Sequence, residues 1–194
     1  MIRDHALAAS GLLVERIGGP PVFTYDLPES FKPAPAGKGE QLHRRSVYTF
    51  WRRNGPAPVL EAFDTPKRVV CVARRDTTNT PLHALVLLNG KQFVEASRVL
   101  AERLLREHGG DREAMLDAAF ARLACRAPDA TERRIVTRLH DEQLAWFKRN
   151  QGDADCHLEI GDTPPDRRLP APEVAALAVT INTLMNHDAF VVKR

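Results

Sequence analysis

Residues 44–89, RRSVYTFWRRNGPAPVLEAFDTPKRVVCVARRDTTNTPLHALVLLN, limit most tightly what this chain can fold into. Pro56, Pro58 and Pro66 each fix a backbone dihedral and remove an amide donor, so no long helix or central strand can cross them. The span therefore reads as a series of turns. Residues 46–53 fit a short strand or a helical turn, because Tyr48, Phe50 and Trp51 match neither period well. Residues 69–72 read as a short extended piece. A clear start follows at Thr80-Pro81, where Thr80 is a good N-cap and Pro81 takes the first helical position, whose amide has no helical partner in any case. That helix is expected to stop at Asn89-Gly90.

The remainder reads as helices. Residues 2–17 carry Ile2, Ala6, Leu7, Leu13 and Ile17 at helical spacing, and Gly18-Gly19-Pro20-Pro21 stops them. Residues 18–40 hold five prolines with little periodicity and read as an extended surface loop. A helix is expected over 92–108, closed by Gly109-Gly110. Asp111 opens another through Leu116, Ala119, Phe120 and Leu123. Asp129-Ala-Thr-Glu132 is a capping-box signature that starts a long helix to about residue 150. Residues 151–172 are polar with four prolines and read as a loop. A last helix covers 172–185, with a surface turn after it at His187-Asp188. The expectation is one mainly α domain over residues 1–194, with five to six helices, an irregular Pro/Arg-rich loop region and little or no sheet.

Four ordered motifs, IRDHALAASGLL, RRSVYTFWRR with AFDTPKR, CVARRDTTNTPLHALVLLN and the closing NTLMNHDAFVVKR, resemble the planctomycete-specific domain one. That family is a domain of unknown function, placed C-terminally in large exported multidomain proteins, often after a c-type cytochrome segment. The resemblance implies an extracytoplasmic setting and a partner among the other modules, a cytochrome c-type module included. This sequence differs from the family in three places. Members carry a long segment before the first motif, which this chain begins without. His83 replaces a Gln that would close a capping box at Thr80, and Ala189 replaces an acid before Phe190. The first difference implies a domain lacking its N-terminal part, with the apolar face of the first helix exposed.

Charge and cysteines narrow the function classes. The net charge of +3 is too small to argue for nucleic acid or a membrane surface. Residues 41–75, however, hold eight Lys/Arg against Glu61 and Asp64, so the remainder of the chain is net negative. Cys71, Cys125 and Cys156 are widely spaced and form neither C-x-x-C nor C-x-x-C-H, so no covalent haem, zinc ribbon or other cofactor site is encoded. The N-terminal segment is too charged and too short in apolar run for a signal peptide, and no segment suits a membrane span.

One constellation could do chemistry. Arg44, Arg45, Asp64, Arg74, Arg75, Asn79 and Thr80, with Asn89, could form an anion site. Guanidinium forks bind carboxylate or sulfate bidentately, and the helix start at Thr80 adds amide donors. The same arginines could instead tie irregular loops to helix ends, since buried carbonyls need donors. As an anion site the set would suit a binding module, or a hydrolase or lyase acting on an acidic polysaccharide. Tyr48, Phe50 and Trp51 beside the arginines could form a binding surface for acidic polysaccharide, or pack with arginine stems across them. His83 stands where relatives carry Gln, which does no acid–base work. Asp153, Asp155, Cys156, His157 and Glu159 crowd one segment without metal-ligand spacing. His187-Asp188 has no nucleophile in a recognisable elbow. The leading expectation is a non-catalytic helical interaction domain.

Overall fold

The structure, a computed structural model, describes residues 1–24, 35–52, 57–66, 70–76 and 78–192. Among them lie nine α-helices and no strand, so the protein is mainly α. Two isolated parallel bridges, Val14 with Arg44 and Val22 with Thr49, are the only β pairings among the described residues. The chain divides into two compact units. One comprises Met1–Leu12 with Leu87–Arg194, the other Leu13–Val86.

The first unit is built around α8 (Ala171–Leu184). Its sequence APEVAALAVTINTL is apolar nearly all the way round, and a helix of that kind must be covered on every side. Ala175, Ala176, Leu177, Ala178 and Ile181 are fully buried. The run of alanines lets neighbours approach closely, and α8 packs against α4 (Lys91–His108), α6 (Ala130–Arg149) and α7 (Gln151–Leu158). Helix α4 is amphipathic in the usual sense, turning Phe93, Ala96, Leu100 and Leu104 inward. It also packs on α1 (Ile2–Ser10) and α5 (Arg112–Ala124). The helix starts are those read from sequence. Asp111 accepts from the amides of Glu113 and Ala114, and Asp129 with Glu132 forms a full capping box.

Helix α4 also buries Glu95, Arg98 and Glu102. Arg98 Nη1 donates to Glu102 Oε1 at 2.6 Å, so the internal charge is paired. Glu95 accepts from the amides of Asp162 and Thr163 at 3.1 and 2.7 Å. The irregular segment after α7 is thereby strapped to α4 through side chains. Gly161, at φ +117°, passes directly over Glu95, where a Cβ would stand 2.7 Å from its carboxyl carbon.

Several expectations need correction. The first helix ends at Ser10, not near residue 17, because Gly11 adopts φ +82° and its amide closes on Leu7 and Ala8. Its apolar face is not exposed: Ala6 and Leu7 are each 1% exposed. Residues 151–172 are not one loop, since α7 forms with Ala154 and Leu158, four apart, turned inward. The turn after α8 is followed by α9 (Asp188–Val191), which buries Phe190 and stacks it on His5. A short helix α2 (Pro58–Ala62) starts with Pro58 in its first turn. Helix α3 (Pro81–Asn89) lies where the sequence places it, and α2, α7 and α9 raise the five to six helices expected to nine among the described residues. Of residues 46–53, Ser46–Tyr48 form a 3₁₀ turn, the helical one of the two alternatives, and Arg53 lies outside the described residues. Within 18–40, Val22 and Thr24 are buried, and 25–34 lie outside the described residues, as does Val69 of the expected extended piece.

Core and cap contribute on different scales. Leu177→Ala should destabilise the chain by about 2 to 5 kcal/mol, because the close-packed α8 site cannot collapse fully. Asp129→Ala should cost about 1 kcal/mol. Urea unfolding followed by circular dichroism would rank the two, and equal losses would contradict the packing described.

A second expectation concerns pH. Burial holds His140 and His157 below the ordinary imidazole value, and Arg98 adds to the effect at His157. Unfolding returns both to about 6.5, so the unfolded chain binds protons that the folded one does not. Stability should therefore fall as pH drops below that value. Glu132 and Asp166 are held down to about 2, chiefly by Arg126 and Arg168 respectively, and their stabilisation is lost only between about pH 4 and 2. A His140→Gln, His157→Gln variant should flatten the urea midpoint between pH 7 and 5. An unchanged slope would show that other groups set it.

Candidate functional site

The candidate arginines lie in the second unit, and their geometry follows from its lack of regular structure. Between Leu13 and Val86 few backbone groups find partners in helices, so the carbonyls need side-chain donors. Arg44 is 1% exposed. Its Nη2 donates to the carbonyls of Arg16 and Gly18 at 3.0 and 2.6 Å. Its guanidinium also lies over the Tyr48 ring, 4.1 Å from the centroid. The Tyr48 hydroxyl in turn accepts from the Gly18 amide at 2.8 Å. Arg44 is thus the centre of a knot that binds residues 14–18 to the 3₁₀ turn. Neighbouring Arg45 is exposed and sits 3.9 Å from Glu15.

The second group forms around Asp64. This residue ends the turn after α2 in the left-handed region, at φ +56°, which a residue with a Cβ adopts only when its surroundings enforce it. The surroundings are visible. Arg75 Nε donates to the Asp64 carbonyl at 2.8 Å, and Arg75 Nη2 donates to the carbonyl of Phe63. The carboxylate accepts from the Thr78 amide at 2.8 Å and from the Thr78 hydroxyl. Those two bonds hold the Asp64 carboxyl below its ordinary value. Phe63 is buried and its ring centroid lies 5.2 Å from that of His83, which is itself buried on α3.

The structure therefore joins Asp64 and Arg75, and adds Thr78, which sequence reasoning passed over. Its signal was there: a Thr shortly before a helix start is a ready partner for an aspartate in a turn. Arg44 is engaged with a different set of partners. Arg74, Asn79 and Thr80 are exposed, and Arg74 makes no hydrogen bond or ion pair among the described residues. Asn89 is exposed at the end of α3. The aromatic residues behave as packing. Phe50 meets Phe23 at 4.7 Å between centroids, and Arg52 lies over Phe50 at 5.7 Å.

The other candidates have structural partners too. His187 Nδ1 accepts from the Ala189 amide at 3.0 Å and caps α9, so its second nitrogen carries the hydrogen that meets Glu132 Oε1 at 3.1 Å. Asp155 and Glu159, on and just after α7, both face Arg167. Among the described residues no group of three or more His, Cys, Asp or Glu is placed to hold a metal ion.

The knot at Arg44 has a measurable consequence. Arg44→Ala takes the charged donor from the carbonyls of Arg16 and Gly18 and empties the buried place of the guanidinium over Tyr48, and should cost about 1.5 to 3 kcal/mol. Arg44→Lys should recover little, since an ammonium can neither lie flat on Tyr48 nor fork between two carbonyls. Hydrogen exchange at the Val14 and Val22 amides, both bonded across the same loops, would report the loosening. Unchanged exchange in the alanine variant would mean that the knot does not hold this unit together.

No curated protein and no solved structure matches the chain. Among the described residues, no helix is long and apolar enough to cross a membrane. The model of PSD1, described as a protein of unknown function (DUF1553), matches residues 1–140 and leaves the closing NTLMNHDAFVVKR motif outside the match. With more than two thirds of its length matched, and with its ordered motifs pointing the same way, the chain belongs to the PSD1 family of proteins of unknown function.

Proposed function

We propose that this chain is a non-catalytic helical interaction or scaffold module of an extracytoplasmic multidomain protein. The observation that supports this most directly is the use made of the arginines. Arg44 and Arg75, the two candidates best suited to grip an anion, direct their donors at four backbone carbonyls of their own unit. A fork spent on the backbone is not available to a carboxylate or sulfate. A polysaccharide hydrolase or lyase would need such forks free beside an acid or base in a concave site. The family resemblance supplies the setting, in which the partner is another module of the same protein, a c-type cytochrome module among them, with its haem held by that module.

Thermal unfolding tests this reading. The purified chain would be melted alone and with a panel of sulfated and carboxylated oligosaccharides at two salt concentrations. A ligand at a hundredfold excess over its Kd adds about 2.7 kcal/mol, which for a chain of this size is a shift of about 5 to 11 °C. A scaffold module should melt cooperatively at a temperature the panel does not move. A shift that vanishes in both Arg74→Ala and an Arg74→Ala, Arg75→Ala variant would overturn the proposal in favour of an anion site.

A further inference from the structure

Helix α6 carries a second apolar row that stands exposed among the described residues. Its inner face buries Val136, His140 and Phe147. On the helices from α4 to α9, the large apolar side chains that stand exposed are Ile135 at 58% and Trp146 at 51%, among the described residues. They are eleven residues apart, three turns of the same helix, and so share one face. Leu139 lies between them on that face, half-exposed. With Glu142 the row reads Ile135, Leu139, Glu142, Trp146, a spacing of four, three and four. That is the spacing of a coiled-coil seam, about 16 Å long.

The charge beside the row has one sign left over. Arg138 and Arg149 border it, with Arg134 and Lys148 beyond. The acids on the same side are already neutralised. Asp141 pairs with Arg112 at 2.9 Å, and Glu142 with Arg138 at 2.7 Å. Arg134 and Lys148 make no hydrogen bond or ion pair among the described residues. A half-exposed tryptophan, aliphatic neighbours and free cations at the rim are the composition of a protein-binding hot spot.

We infer that this face of α6 docks an amphipathic helix of another module, one that presents Leu or Ile at coiled-coil positions and Asp or Glu along its flank. The spacing selects a helix, because a strand would present side chains every second residue. The unpaired cations select an acidic flank, and the Arg138–Glu142 pair inside the row sets the register as polar seam positions do. This rests on the interaction reading above and names the chemistry of its partner.

The intact chain supplies its own probe in Trp146. It would be titrated with a synthetic three-heptad peptide carrying Leu at the seam and Glu on its flanks, and with the same peptide carrying Lys. The Glu peptide should shift the tryptophan emission to the blue, with matching heat by calorimetry, and Trp146→Phe should remove the shift. Ile135→Lys and an Arg134→Glu, Lys148→Glu variant should each weaken binding about tenfold or more. All these positions are exposed, so the melting temperature should hold and any loss of binding is a loss of contact. Four results would overturn the inference: no heat and no shift, equal binding of the Lys peptide, a shift that follows protein concentration without peptide, or a shift only with vesicles of anionic lipid. The third would assign the face to a second copy and the fourth to a membrane surface. Failure here with no oligosaccharide response leaves the scaffold reading standing, whereas an oligosaccharide response lost with Arg74 and Arg75 removes that reading itself.

Discussion

An arginine guanidinium that donates to backbone carbonyls recurs as the tie on which this structure depends. Arg44 ties the carbonyls of Arg16 and Gly18, Arg75 those of Phe63 and Asp64, Arg98 that of Thr163, and Arg103 that of Ser10. Each acts where the chain leaves regular structure, so its carbonyls have no helical amide to meet. Guanidinium suits the task because its donors are planar, fixed in a fork and always charged. The matching need, acceptors for loop amides, is met by carboxylates: Glu95 for Asp162 and Thr163, and Asp64 for Thr78. Of the eight Lys/Arg in residues 41–75, Arg44 and Arg75 spend their donors on carbonyls of their own unit, while Arg53, Lys67 and Arg68 lie outside the described residues.

The helical unit relies on a different force. Helix α8 is apolar enough to be covered on every side, and burial of its alanines, Leu177 and Ile181 organises α4, α6 and α7 around it. Some polar groups inside are paired, while Arg98 Nε, His140 Nδ1 and His157 Nε2 are buried without a hydrogen-bond partner among the described residues. Arg98 sits on Glu102, and Asn182 donates to the Leu87 carbonyl at 3.0 Å. Even His187, which could be taken for half of a catalytic dyad, caps α9 with one nitrogen and meets Glu132 with the other.

That pattern bears on function. Arg44 and Arg75 direct their donors at carbonyls of their own unit, whereas the exposed apolar groups include a row on α6 with Arg134 and Lys148 unpaired nearby among the described residues. The backbone of α6 under this row is held by the capping box and by α8 beneath it, which would suit the docking proposed for it.

Much of the helical architecture was legible in the sequence. Helices α4, α5, α6 and α8 follow from apolar spacing and from Asp111, Asp129, Gly109 and the prolines, which act locally and need no partner elsewhere. The tertiary structure alone decided the short elements. Helix α7 exists because Ala154 and Leu158 find a covering surface, and α9 because Phe190 finds His5 and His187 finds Glu132. The end of α1 at Gly11 was written in the sequence, but the helical spacing of Leu13 and Ile17 beyond it was the louder signal. The candidate site divides the same way. Composition marked the arginines, but it could not say which carbonyls they would meet, since Arg44 and Gly18 are 26 residues apart. Local propensity is a property of neighbouring residues. The partner of a buried charge is set by whatever the fold brings within hydrogen-bond reach.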